Sequence, residues 1–480
     1  MRQLVLFGAG RRCYSLCRLL KDSTLTEVWI TDNDSQKWGT WIEGYVVQAP
    51  EVLLKNKDIE VCITIADELA AAQIRVDLKE KYGVTPGAEV KYNSLILELF
   101  KKNNQIKKAI RGKNISVKSE NSVLFDCYMG LGLGGVEAWT MDLCSAMLQK
   151  GLINCAIISD IGQYRVPESL KNNIVYVDID HQNRFSIDTM LDLIDVIISK
   201  LPCQVVTCTT DEIMVAAYLV KCVYPDWVKI ISVVHNSNEK VYSEYMDFKE
   251  CIDVYIGVSM DIKQNLIKCG IDAERVFHMT CPFYCEKSLN RTYTIDMHKP
   301  IRIGYAGRMD GLEHSQKRMD LMMKLIVELV HRGINFRFEF AGDGPAKKII
   351  ENFIRENQFE GYVKLLGVIK RKQIPDFWKE QDLFVNVADY EGRSISLLEA
   401  MANGAIPVVT ETSGVKEEII NGYDGYYVPL GDYLAIADKI EYLSIHRDLL
   451  SEMGRLSHDK VYPESSMEKH VHFWKEILHY

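Results

Sequence analysis

The sequence predicts an α/β chain whose parallel sheets are covered by helices on both faces. Apolar runs of strand length alternate with segments of helical period from end to end. Three stretches open alike, each with an apolar strand entering a glycine-containing turn: LVLFGAG, SVLFDCYMGLGLGG from Ser122, and IRIGYAG from Ile301. The composition, 47% hydrophobic and 26% charged over 480 residues, is that of a globular chain with room for about three domains.

Several classes are excluded early. No apolar run approaches the ~20 residues that span a bilayer, and the stretch after Met1-Arg2-Gln3 is too short for a signal peptide. A net charge of -9 argues against a nucleic-acid partner, which would need a basic footprint. The 13 cysteines are odd in number, and the closest pairs, Cys13/Cys17 and Cys281/Cys285, have three intervening residues with no CxxC anywhere. They read as reduced core thiols, and no metal is implied. The expectation is a soluble, cytoplasmic, enzyme-sized chain.

In the first stretch, Gly8 and Gly10 follow a strand directly, and a second strand, EVWITD, ends at Asp32, 22 residues beyond Gly10. That is where an acidic residue meets a ribose diol in dinucleotide-binding turns. Cys13 stands where the third glycine of that fingerprint belongs, so a turn needing Gly8 and Gly10 for geometry alone explains the pattern equally well. The stretches FGAG, ITDNDSQKWG, IEGYVVQAPEVL and DIEVCITIA together resemble the small Rossmann-like domain that precedes the catalytic part of sugar O-acyltransferases. A basic segment follows, Lys101 to Lys118, with Ile106 and Ile110 at helical spacing. It reads as a solvated helix and linker first, and as a peripheral contact with an anionic membrane face second.

The second stretch places Gly130, Gly132, Gly134 and Gly135 between a strand and a helix that begins after Gly135. Glycines there let backbone approach a ligand, and helix-start amides point at an anion. Further on, VKIISVVHNS puts His235 at the C-terminal end of a strand, the ligand-facing edge of an open α/β sheet. A buried, satisfied histidine accounts for it equally well. The segment FYCEKSLNRTYTIDMHKP has no period and reads as a linker.

The third stretch carries the phosphate chemistry. Arg308 stands on the turn after IRIGYAG, and Lys317 lies near the start of the next helix. An arginine fork and a lysine point charge at one sheet edge suit a diphosphate. The segment FRFEFAGDGPAKKII repeats the strand-to-glycine theme, where a simple turn and a ligand contact explain it equally. In DLFVNVADYEGRSISLLEAMANGAIPVVT, a strand leads to a loop with Glu391 and Gly392, then a helix from about Ser394. Glu399, eight residues after Glu391, sits on that helix between Leu398 and Met401. An acid among core residues needs donors, and a ribose diol offers two. The amides of Gly392, Arg393 and Ser394 suit a diphosphate or sugar hydroxyls. The DxD spacings at Asp32–Asp34 and Asp178–Asp180 are discounted as metal sites.

EGRSISLLE, GGVEAWTMDL, YAGR, QKRMDLMMKLI, AGDGP and VVTETSGVKEEIINGYDGYYVP, taken in order, resemble the retaining glycosyltransferases of family four, of GT-B fold. The resemblance implies two facing Rossmann-like domains preceded by a third, small one. The expected organisation is an accessory domain with its basic linker over 1–118, an acceptor-side domain over 119–296, a nucleotide-sugar domain over 297–462, and a helix over 463–480 returning to the acceptor side. It implies that Arg308 and Lys317 hold the donor diphosphate, that Glu399 binds the ribose, and that Glu391 with the amides after it binds the transferred sugar. Gly134 and Gly135 would approach the donor, and His235 would contact the sugar near the reacting carbon. The implied activity is metal-independent, retaining transfer from a UDP- or GDP-type sugar, with no further cofactor, to a glycan or lipid-linked hydroxyl in bacterial surface polysaccharide synthesis, at or near the inner membrane face. A GT-B epimerase and a non-catalytic sugar-nucleotide-binding partner are the alternatives, with a nicotinamide oxidoreductase built on Gly8 and Gly10 behind them. Two departures stand out: Arg308 and Lys317 are three residues further apart than is common in that family, and EGRS replaces EGFG.

Overall fold

The computed structural model describes residues 3–21, 27–54, 59–65, 67–113, 122–127, 130–131, 134–150, 154–160, 166–179, 185–313 and 315–479. Gly132, Asp180 and the last residues of the basic segment, 114–118, lie outside the described residues. The chain divides into two compact units. One holds Met1–Leu131, Gly151–Ser232 and Ser243–Val254; the other holds Gly132–Lys150, Val233–Tyr242 and Tyr255–Tyr480.

The first unit opens with β1 (Gln3–Phe7), β2 (Glu27–Thr31), β3 (Trp41–Ile42), β4 (Tyr45–Gln48) and β5 (Ile59–Ile63) in the order β3-β4-β2-β1-β5. β1 pairs in parallel with β2 and β5, while β3 and β4 form a hairpin. Its two turn residues, Glu43 and Gly44, both have positive φ (50° and 95°), the geometry that matches strand twist in a two-residue turn. The same unit carries β6 (Ser122–Cys127), β7 (Asn154–Asp160), β8 (Ile174–Val177), β9 (Cys203–Thr207) and β10 (Val228–Val234), which leaves it after Ser232. They are parallel in the order β10-β9-β6-β7-β8, and β6 and β9 are buried at every residue, as central strands covered on both faces must be.

The basic segment is helical over Tyr92–Lys102 and Asn104–Arg111, with Ile106 and Ile110 buried. Its charges are partly spoken for: Lys101 meets Glu250 and lies over the Tyr218 ring, Lys102 pairs with Glu98, and Lys113 with Asp195.

In the second unit β11 (Val254–Gly257) and β12 (Val276–His278) pair in parallel. A six-stranded sheet follows: β13 (Ile301–Ala306), β14 (Phe336–Ala341), β15 (Val363–Gly367), β16 (Leu383–Asn386), β17 (Ile406–Thr410) and β18 (Tyr426–Val428). All pairs are parallel, in the order β15-β14-β13-β16-β17-β18. This is the doubly wound order 3-2-1-4-5-6, whose chain direction reverses between the first and fourth strands. Alternate residues face opposite cores. Ile301, Ile303, Tyr305, Phe336, Phe338 and Phe340 pack with Leu325, Leu329, Ile436 and Ile440; Phe384 packs on the other side with Trp378, Leu398 and Met401.

The period-less segment 283–300 has no helix or strand, yet it is fastened along its length. Buried Arg291 donates to the carbonyls of Trp378, Asn403 and Gln381, and Thr294 N–H donates to Asp382 at 3.0 Å. The last helix, Met467–His479, packs on Gly135–Gln149, with Trp474 and Trp139 ring centres 5.9 Å apart. The cysteines are free and most are buried, but Cys222 and Cys269 are exposed, correcting the expectation of core thiols throughout. Both stand at the C-cap of a helix, just beyond its last turn. Among the described residues no helix is long and apolar enough to cross a membrane.

Candidate active site at the strand-order reversal

In a doubly wound sheet the loops after the two strands flanking the reversal splay apart and leave a crevice at the strands' C-terminal ends. Here those strands are β13 and β16, so the loops are 307–318 and 387–394. They contain Arg308, Lys317 and Glu391. Tyr305, buried at the end of β13, donates its hydroxyl to the Arg308 carbonyl at 2.7 Å and fixes the first loop's entry. Lys317 Nζ forms an ion pair with Glu391, and both side chains are nearly buried, 14% and 8% exposed. Gln316 Nε2 donates to the other Glu391 oxygen at 3.1 Å and to the Tyr390 carbonyl at 3.2 Å. Asn386 Nδ2 adds a third donor to Glu391 at 3.3 Å. Arg308 reaches Gln316 Oε1 at 3.2 Å and Asp310 at 3.4 Å, with its side chain 59% exposed. The two predicted cations therefore share one neighbour, Gln316, beside one carboxylate.

The Glu391 loop is held from behind. Ser237 Oγ donates to the Glu391 carbonyl at 2.7 Å. At Gly392 a Cβ would stand 1.9 Å from the His235 carbonyl oxygen, so only glycine lets the two backbones meet. Ser394 caps the helix Ile395–Ala402, its Oγ accepting from Leu397 N–H at 3.4 Å. The amides of Gly392, Arg393 and Ser394 donate to no partner among the described residues. The Arg393 side chain turns away into an ion pair with buried Glu418 and a contact with the Val258 carbonyl at 3.5 Å.

Glu399 is half-buried on that helix. Burial pushes its carboxyl up to about 7, against the opposing pull of the Arg371 charge. Arg371 is itself paired with Asp142 of the helix Gly135–Gln149. At the start of that helix, a Cβ on Gly134 would strike the Glu137 carboxylate, and one on Gly135 would sit 3.4 Å from Ile395. His235 lies edge-on to Trp139 (centroids 4.9 Å apart), with Nδ1 4.0 Å from Cys281 Sγ. Its Nε2 is sealed and has no hydrogen-bond partner among the described residues, and burial pushes its pKa down to about 4. The imidazole is therefore neutral near pH 7.

The first glycine turn closes on itself. Gly8 has φ 113°, and Asp32 accepts from Ala9 N–H (2.7 Å), Asp34 N–H (2.9 Å) and Lys37 Nζ (2.9 Å). Burial works to raise the Asp32 pKa, but the amides and Lys37 outweigh it and hold it below the usual range. Gly10 is open on its Cβ side.

Sequence reasoning missed Gln316, Asn386, Ser237 and Arg371. Gln316 had a local signal, standing next to Lys317. Asn386 had one too, ending the strand that enters the Glu391 loop; Ser237 and Arg371 come from far along the chain, and nothing near them in sequence marks the contact. Among the described residues no group of three or more His, Cys, Asp or Glu side chains is placed to hold a metal ion.

Residues 300–445 match the family model described as glycosyl transferases group 1. N-acetyl-alpha-D-glucosaminyl L-malate synthase of Bacillus anthracis is 24% identical over 279 residues, 55% of this chain and 71% of that protein. The amylovoran biosynthesis glycosyltransferase AmsK of Erwinia amylovora is 27% identical over 38% of this chain, and the putative colanic acid biosynthesis glycosyltransferase WcaL of Salmonella typhimurium is 27% identical over 30%. The chain spans less than half the length of these last two, 46% and 38%. Among solved structures, a TarM mutant of S. aureus in complex with Fondaparinux, alpha-GlcNAc-glycerol and UDP has a TM-score of 0.61 at 11% identity, covering 74% of this chain and 99% of that one. Anabaena HepE in complex with UDP and glucose has a TM-score of 0.60 at 14% identity, covering 74% and 98%. These likenesses carry the fold, which is GT-B. Together with the matched domain and the named relatives, it makes this chain an enzyme of the glycosyltransferase class.

Proposed function

We propose that the chain moves a sugar from a nucleoside-diphosphate donor of UDP or GDP type to a hydroxyl acceptor, with retention at the anomeric carbon and no need of a metal ion. The observation that carries this is the meeting of Lys317 and Gln316 with Glu391 at the β13/β16 reversal, with Arg308 bonded to Gln316 beside them. In that reading the sugar–oxygen bond to the diphosphate breaks first, and negative charge grows on the leaving phosphate oxygen. Arg308, Lys317 and the amides of 392–394 stabilise that charge without reorganising. The acceptor hydroxyl bonds the anomeric carbon on the face the diphosphate left, and its proton passes to the departing phosphate. Glu391 holds hydroxyls of the transferred sugar and Glu399 the ribose diol, while His235, its Nε2 sealed, backs the loop at Gly392 through its carbonyl.

The names of the amylovoran and colanic acid relatives support an acceptor in surface polysaccharide assembly, a glycan or lipid-linked sugar at the inner membrane face. The functional division runs at 118/119, 296/297 and 462/463, with the first 118 residues an accessory Rossmann-like domain. Incubation with UDP- and GDP-sugars plus a hydroxyl acceptor, in EDTA, is expected to give a glycoside of the donor's anomeric configuration by proton NMR. Inverted product would refute the retaining mechanism, and activity restored only by a divalent cation would refute metal independence.

A further inference from the structure

Arg318 follows Lys317 and precedes the first residue of the helix Met319–His331. Its backbone is left-handed, φ 47° and ψ 56°, a conformation glycine takes freely and a residue with a Cβ adopts only at a cost. Such strain persists where the surroundings over-determine it. Here they do. Nε and one terminal nitrogen grip both oxygens of Asp320 at 3.0 and 2.9 Å, and the other terminal nitrogen grips both oxygens of Asp389 at 3.0 and 2.9 Å. The fork is thus taken up by two carboxylates and is not spare for a ligand.

The consequence lies one residue back. Asp389 N–H donates to the Gln316 carbonyl at 3.1 Å, Gln316 Nε2 bonds Tyr390 and Glu391, and Lys317 pairs with Glu391. Each of residues 316–318 is thus bonded to the segment 389–391, and Arg318 supplies two of those bonds, both to Asp389. We propose that Arg318 is a positioning residue: by latching to Asp389 across the crevice and to Asp320 on its own helix, it sets the backbone turn that aims the Lys317 ammonium into the site. This rests on the reading of Lys317 as a diphosphate ligand. Arg318 itself touches no donor atom.

Arg318→Gly separates backbone strain from latch, because glycine accepts the left-handed turn but has no guanidinium. In the full chain the relief of strain offsets part of the lost ion pairs, so its melting temperature is expected to fall only modestly, while calorimetric affinity for UDP or GDP weakens about tenfold and kcat/KM falls by a similar factor. Asp389→Asn should reproduce the loss, and the double variant should be no worse than the poorer single one. Arg318→Lys keeps the charge but not the fork, so it should lose affinity too, and it serves as the second probe if the glycine variant folds poorly. Parental affinity and turnover in Arg318→Gly or Arg318→Lys, or losses that multiply in the double variant, would overturn the positioning role and leave the donor site standing. A wild-type chain that binds neither UDP nor GDP would overturn the donor site, and this role with it.

Discussion

At the scale of single residues, two titratable groups of the site that burial shifts in opposite directions differ in what they do near neutrality. His235 is pushed down to about 4 by burial and stays uncharged between pH 6 and 8. Glu399 is pushed up to about 7 by burial and titrates within that window. A carboxyl raised in the folded state favours its protonated form, so its contribution to stability is full at low pH and is lost as pH climbs from its unfolded value through about 7. A ribose diol offers two O–H donors and binds the ionised form better, so binding should release a proton. Nucleoside-diphosphate affinity is therefore expected to rise between pH 6 and 8, approaching about tenfold per unit below the Glu399 pKa. Glu399→Gln should weaken binding and flatten that slope while raising the melting temperature at pH 8. Calorimetry at three pH values checks it; an unchanged slope in the glutamine variant would remove Glu399 from the ribose contact.

At the scale of elements, the loop 391–394 works because other segments hold its back. Gly392→Ala places a methyl 1.9 Å from a backbone oxygen, and a backbone carbonyl cannot swing aside as a long side chain can. The loop must withdraw, at a cost of about 1–3 kcal/mol, and Glu391 withdraws with it. The alanine variant is expected to lose stability by that amount in denaturant melts and to lose most turnover; a fully active, equally stable variant would show the two segments to be uncoupled. This contact also shows where legibility stopped. The strand, loop and helix around Glu391 and Glu399 are local patterns, and so are the glycine turns after β1 and β13. The grip of Ser237 on the loop, the pairing of Arg393 with Glu418 and the service of Arg291 to three carbonyls join residues far apart in sequence. Polar side chains at those positions carry no period to announce them. The EGRS departure becomes intelligible only with Glu418 beside it: the arginine is buried as half of an ion pair, out of the crevice. Removing either half would leave a buried charge alone.

At the scale of the whole molecule, the three sheets repeat one device, a strand running into a glycine turn, yet the turns after β1 and β13 use it differently. After β1 the acid that would receive a ribose is already occupied, with Asp32 closing on Ala9, Asp34 and Lys37. After β13 the acid is held by Lys317 and Gln316 from the first loop and by Asn386 at the end of β16, and a diphosphate can compete for that lysine. The same motif is spent on structure in one place and left available to a ligand in the other. Titration of the full chain with UDP or GDP should therefore give one site per chain. Ligand at about a hundred times Kd should stabilise the unit that holds that site by ~2.7 kcal/mol, seen as a rise in its melting temperature. Lys317→Ala should abolish that rise while folding normally, because Gln316 and Asn386 still serve Glu391. Asp32→Ala should lower the melting temperature, since it frees three donors around the first turn, and leave the nucleotide affinity untouched. Two sites per chain, or a rise that survives Lys317→Ala but vanishes with Asp32→Ala, would move the nucleotide to the first turn and leave the β13/β16 crevice without its ligand.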